Sequence, residues 1–207
     1  MNSRIRSLAL AALMAAAVPA LARAQVVSST FGAGDSYAAD FPYLVGSFQS
    51  IAQGFTYGGA TGATLAQIRL VLLATADPYT ISFRTGADLN SALTLESWSR
   101  SVSLDGIVSV SSGLLPSLVT GEMYWVVAEN PATDLFAAGG WFANDQGHLG
   151  LTYRLGAGGS WTTDPNGASA AYDVAVTVTP EPATALLLAT GLLGIAAAAR
   201  RRRRSTA

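Results

Sequence analysis

The chain has 207 residues, half of them hydrophobic, with a formal net charge of −1 and no cysteine. Eight of its twelve basic residues sit near the ends, so Gln25–Thr179 holds four arginines against twelve carboxylates, a net of −8, and no lysine occurs anywhere. This excludes a disulfide framework and thiolate chemistry, and it argues against nucleic acid, anionic headgroups and acidic polysaccharides as electrostatic partners.

The N-terminus carries Arg4 and Arg6, then an apolar stretch over Leu8–Val18, then Pro19 and the small-residue pair in Ala22-Arg23-Ala24. A charged start, a short apolar core and an A-x-A site predict a secretory signal peptide over residues 1–24, cut so that Gln25 begins the mature protein. The apolar core is too short to span a bilayer.

Residues 25–179 amount to one domain, large enough to bury roughly two-thirds of its unfolded surface. Their dominant pattern has period two. Tyr79, Ile81 and Phe83 alternate with Thr80, Ser82 and Arg84; Ser97, Ser99, Ser101 and Ser103 alternate with Trp98, Arg100, Val102 and Leu104. Tyr172, Val174, Val176 and Val178 alternate with Asp173, Ala175, Thr177 and Thr179. Each pattern predicts a strand with one wet face. Ile68–Ala74, interrupted only by Arg69, and Met123–Ala128 are apolar on both faces and read as central strands. Turn signals fall at Gly58-Gly59, Asp77-Pro78, Asp88-Leu89-Asn90 and Asp164-Pro165-Asn166-Gly167. The prediction is an all-β fold, a single antiparallel β-sandwich of jelly-roll character, with at most one helical turn over Asp88–Leu95.

Catalytic groups are sparse. The single histidine, His148, lies three residues after Asp145, and such a pair contributes to a hydrolase triad if a serine joins it. No G-x-S-x-G elbow accompanies it, and the simpler reading, an exposed loop histidine, is preferred. Glu96, Glu122 and Glu129 have no context marking a glycosidase pair. A transition metal would need clustered His or Cys, so no metal site is assigned. Oxygen-ligated Ca²⁺ is the one cofactor left open, with Asp35, Asp40, Asp134, Asp145 and Asp164 in predicted loops, although D-x-D-x-D spacing is missing.

One local repeat stands out. Gly139-Gly140-Trp141-Phe142-Ala143-Asn144-Asp145-Gln146-Gly147 is echoed by Gly158-Gly159-Ser160-Trp161-Thr162-Thr163-Asp164-Pro165-Asn166-Gly167. Both predict a tight turn after a Trp at a strand end, with Gly147 and Gly167 at positive φ. Two uses are open. Trp141 and Trp161 fill the core, as Trp125 and Trp98 are expected to do, or at least one forms a sugar platform with Asn144 and Asp164 bonding hydroxyls.

The C-terminus reads Pro180-Glu181-Pro182, an apolar run over Ala183–Ala199, then Arg200, Arg201, Arg202, Arg203 and Arg204. The run makes a helix of roughly 25 Å, at the short end of what crosses a bilayer core of about 30 Å. Snorkelling arginines and local thinning accommodate it, and the arginines stay cytoplasmic. A buried core helix with a basic tail is the alternative, but an all-apolar circumference is unusual there.

The tripeptide, the Leu186-Leu187-Leu188 and Gly191-Leu192-Leu193-Gly194 runs and the arginine block resemble the PEP-CTERM class of bacterial surface proteins. That resemblance implies sorting by a membrane-embedded exosortase, a cysteine-protease-like processing enzyme, with cleavage near the tripeptide and release or transfer to the outer surface of a Gram-negative, exopolysaccharide-making cell. The order Gln53-Gly54-Phe55-Thr56, Leu65-Ala66-Gln67-Ile68, Gly121-Glu122-Met123-Tyr124-Trp125-Val126-Val127, Trp161 and Tyr172-Asp173-Val174 is similar to the choice-of-anchor surface domains. That likeness implies a β-rich module without an assigned chemistry.

The expected protein is therefore exported. Its precursor is held in the inner membrane by the C-terminal helix with the domain facing the periplasm, and it then passes to the cell surface or matrix. There it serves as a non-catalytic structural or glycan-contacting component touching extracellular polysaccharide, with no nucleic-acid partner. A secreted hydrolase of polysaccharide or ester is the alternative.

Overall fold

The structure, a computed structural model, describes residues 23–133, 138–178 and Gly191. Residues 1–22 of the predicted signal segment, Ala22 among them, the calcium candidate Asp134, and the tail residues Pro180, Glu181, Pro182 and Arg200–Arg204 lie outside the described residues. So does the predicted spanning segment, Gly191 apart; among the described residues no helix is long and apolar enough to cross a membrane.

Residues Ala24–Val178 form one compact unit. Its strands are β1 Arg23–Ser29, β2 Ala38–Val45, β3 Gln49–Thr56, β4 Thr64–Leu73, β5 Thr75–Thr85 and β6 Leu93–Val102. They continue as β7 Gly106–Ser111, β8 Met123–Glu129, β9 Gly139–Ala143, β10 Leu149–Leu155, β11 Trp161–Ala168 and β12 Tyr172–Val178. One sheet runs β1-β12-β4-β9-β2, with β7 on the other edge of β4; the second runs β11-β10-β3-β8-β5-β6. From β2 to β5 and again from β7 to β10 each connection crosses between the sheets, which is the jelly-roll habit. The all-β sandwich expected from the period-two segments is what forms.

Alternation explains the core. Ile68, Leu70 and Leu72 of β4 and Val174 and Val176 of β12 meet Ile81 and Phe83 of β5 and Tyr124 and Val126 of β8. Phe83 and Tyr124 stack with centroids 5.3 Å apart. The opposite faces of β4 and β8 are covered too, which is why both strands look apolar all round. Val71, with Phe142 and Ala171, lies beneath Phe31 and Tyr37. Trp125 and Val127, with Ala52, lie beneath Leu89, Ala92 and Trp161.

Two expected turns need correction. Asp77-Pro78 lies inside β5, where the register slips between Thr75 and Tyr79. Asp164-Pro165-Asn166-Gly167 lies inside β11, an edge strand whose register shifts opposite Leu149 and Leu151. Proline is tolerated at bulges and edges because no ladder donor is lost there. Over Asp88–Leu95 a single turn forms, in which Ser91 and Ala92 donate their N–H groups to the Asp88 and Leu89 carbonyls and Asp88 Oδ1 accepts the Asn90 N–H at 2.9 Å, before β6 begins at Leu93.

Candidate functional site

The Trp repeat does not build one surface. Trp141 sits in β9 at 0 % exposure, its indole N–H donating to the Ala171 carbonyl at 2.8 Å. It is core, as the first reading had it, and no face is left for a sugar. The Gly139-Gly140 pair before it makes room for Tyr79, whose hydroxyl accepts the Gly140 N–H and donates to the Leu73 carbonyl, each at 2.6 Å. A Cβ on Gly139 would collide with the Tyr79 ring.

Asn144 is buried and spends its amide on the next loop. Its Oδ1 accepts the N–H groups of Gln146 and His148, and its Nδ2 donates to the carbonyls of His148 and Ser169. Gly147 does take positive φ, 73°, but Gly167 is not among the residues in that region. Thus Asn144 is a loop organiser, not a hydroxyl reader. His148 is exposed and enters this network through its backbone. The Asp145 carboxylate, held below its usual range by hydrogen bonds from Gln146 and then Ser36, turns toward those partners.

Trp161 is half-buried at the start of β11. The Arg154 guanidinium lies 5.0 Å over its ring, and Asn90 Oδ1 accepts its backbone N–H at 2.8 Å. One π-face is therefore occupied by a cation. Asp164 is exposed and accepts the Asn166 N–H. The cross-strand register puts Trp161, Arg154, Ser50 and Glu129 in one row over the outer face of the second sheet. There Glu129 accepts from Arg154 at 2.5 Å and from Arg84 at 3.0 Å. Both carboxylate oxygens of Glu129 are thus engaged by guanidinium groups.

The outer face of the first sheet carries the other ion-pair cluster. Arg69 donates to Asp35 at 2.7 Å and from Nε to Asp173 at 2.8 Å, and stacks on Phe31 at 5.2 Å. The guanidinium beside Asp35 holds that carboxyl below its ordinary range. An open depression of about 230 Å³ beside it is lined by Ala24, Val26, Gln67, Arg69, Asp173 and Ala175. Among the described residues no group of three or more His, Asp or Glu is placed to hold a metal ion. The calcium candidates Asp35, Asp145 and Asp164 are engaged as above.

Sequence reasoning also missed Glu96. Its carboxylate, 7 % exposed, accepts the Ser112 hydroxyl at 2.5 Å, the Gly113 N–H at 2.7 Å and the Leu114 N–H at 3.3 Å. It pins the connection after β7 to the edge of the other sheet. No local signal marks it, because its partners lie sixteen to eighteen residues on.

That connection borders the point where the chain leaves the domain. Thr64 pairs with Thr177 on one side and with Ser117 on the other, so the end of β12 and the Gly113–Val119 loop flank the start of β4. Residues 178–204 match the PEP-CTERM protein-sorting motif. The PEP-CTERM motif covers 27 of the 207 residues and begins on the last residue of β12. It marks an exported protein whose membrane-anchored precursor is sorted to the cell surface, and it implies processing by an exosortase. No curated protein matches the chain. Ala24 and Gln25, flanking the expected signal cleavage, lie within β1, next to β12 in the sheet.

Proposed function

We propose that the domain faces the periplasm while the tail holds the precursor in the inner membrane, and that after processing it acts as a non-catalytic structural component of the extracellular matrix. The PEP-CTERM tail at the exact end of a closed sandwich is the observation that carries this reading. Supporting it, several charged groups are engaged in holding the fold: Glu96 anchors a loop, Glu129 joins two arginines and Arg69 joins two aspartates. The similarity to choice-of-anchor modules points the same way. Glycan contact, if made through this repeat, is confined to the free edge of Trp161 and to Asp164. The hydrolase alternative draws no support from Asp145 and His148, which engage different partners.

The test is localisation of tagged protein with and without residues 180–207. Full-length protein is expected at the surface with mature termini near Gln25 and near the tripeptide by mass spectrometry; the truncated form is expected to stay periplasmic. A surface form retaining all five terminal arginines sinks the processing scheme. Retention on the cell's own exopolysaccharide that is unchanged by Trp161→Ala removes the glycan half.

A further inference from the structure

The Gly113–Val119 loop holds two adjacent leucines out of the fold. Leu114 is 71 % exposed, Leu115 is 52 % exposed and Val119 is 56 % exposed. Leu115 also adopts φ 49°, a left-handed conformation normally given to Gly or Asn. No burial compensates for that strain, and a strained, exposed apolar residue is a reason to look for a role.

The loop is built, not slack. Glu96 collects the N–H groups of Gly113 and Leu114, and the Ser112 hydroxyl accepts the Leu115 N–H at 2.9 Å. Leu118 is buried at 1 % exposure and donates its N–H to Ala63 at 2.8 Å. Val119 donates to the Tyr124 hydroxyl at 2.8 Å, and Gly121 to the Tyr57 carbonyl at 2.8 Å. The leucine pair is thus presented on a fixed base.

Its position matters more. Ser117 and Thr177 flank Thr64, so they stand about two strand spacings, ~10 Å, apart. Leu93, 67 % exposed, shares this end, because Thr85 pairs with both Leu93 and Tyr124. From Val178, four residues, Thr179–Pro182, precede the apolar run at Ala183, a reach of at most about 14 Å when extended. In an anchored precursor this short linker therefore limits Val178, and the end of the sandwich that carries it, to about 14 Å from the start of the apolar run.

We propose that the Leu114–Leu115 loop docks on the lipid bilayer in the anchored precursor, inserting its leucines among the interfacial acyl chains. This docking presupposes the membrane anchoring proposed above and adds a second contact to it. The chemistry is apolar and needs no anionic lipid, in keeping with a domain of net charge −8.

The absence of native cysteine allows a clean test on the full-length chain. Leu114→Cys and, as a control, Leu104→Cys are each labelled with an environment-sensitive NBD probe and reconstituted in phosphatidylcholine vesicles. Leu104 is 81 % exposed but lies in the β6–β7 turn, whose β7 end pairs Gly106 with Leu72 near the far end of β4. The expected result is a several-fold rise and blue shift of emission at position 114 and none at 104, with unchanged near-ultraviolet circular dichroism. Protein that floats with vesicles while the 114 probe stays in water overturns the docking and leaves the anchor intact. Protein that does not float overturns the anchor and the docking with it. Equal shifts at both positions, or a shift at 114 that needs an exosortase in the vesicles, also overturn it, the latter assigning the loop to a protein partner.

Discussion

Arg69 and Asp173 face each other across the β4–β12 pair, 104 residues apart in sequence, with the arginine Nε donating to the carboxylate at 2.8 Å. The Asp173 side chain is only 3 % exposed, whereas that of Arg69 is 26 % exposed and shared with Asp35. Removing the arginine leaves a buried charge without its partner, and such breaks cost about 3–5 kcal/mol. Arg69→Met is expected near the low end of that range in urea unfolding, since the site is partly wet. Arg69→Met combined with Asp173→Leu is expected to recover at least half of the loss, because it removes the stranded carboxylate. A double variant as unstable as the sum of the singles contradicts this account.

Trp141 and Trp161 have parallel sequence surroundings and opposite roles. Trp141→Ala is expected to cost about 3–5 kcal/mol, through the cavity left and the orphaned Ala171 carbonyl. Trp161→Ala removes a half-buried ring and its contact with Arg154, and is expected to cost roughly 1–2 kcal/mol. Chemical denaturation of the two variants compares them directly. Equal losses would mean that Trp161 belongs to the core as fully as Trp141 does.

Tyr79 gives the fold a pH-dependent element. Burial raises its phenol well above the ordinary tyrosine range, with the Gly140 backbone hydrogen bond opposing the shift. Because the folded state holds this proton more tightly than the unfolded chain, the contribution is fully present below about pH 10 and is lost as pH rises further. Unfolding free energy is expected to fall above pH 10. Tyr79→Phe is expected to flatten that limb while costing about 1–3 kcal/mol at neutral pH, since the Gly140 N–H loses its acceptor. An alkaline limb of the same slope in Tyr79→Phe assigns it to other groups.

How much of this was legible depends on the distance over which a residue finds its partners. The alternation of Tyr79, Ile81 and Phe83 and of Tyr172, Val174 and Val176 is local, and it marked the inward faces correctly. The two-sided apolar character of Met123–Ala128 likewise marked a central strand. Asp77-Pro78 and Asp164-Pro165-Asn166-Gly167 carry turn residues, yet edge position and bulges let the strands run through them. Arg69 looked like an interruption in an apolar run because its partners are distant Asp35 and Asp173. Glu96 and Asn144 were unreadable as organisers for the same reason, their functions being set by backbone groups that only the fold brings near. The repeat around the two tryptophans misled because spacing alone does not tell which sheet, or which face, a ring enters.

Leu115 supplies the sharpest separation of stability from function. A left-handed leucine costs roughly 1–2 kcal/mol relative to its preferred conformation, while glycine adopts that φ freely but has a more disordered unfolded state. Leu115→Gly is therefore expected to raise unfolding free energy by about 0.5–1 kcal/mol, read as a higher urea midpoint at constant slope. The same variant removes one of the two apolar groups offered to lipid and is expected to weaken the NBD response at position 114 in vesicles. Gain of stability together with loss of the membrane signal marks a residue kept for contact, not for the fold. A Leu115→Gly protein that is less stable would mean that the leucine packs productively where it stands, and the strain would need no functional explanation.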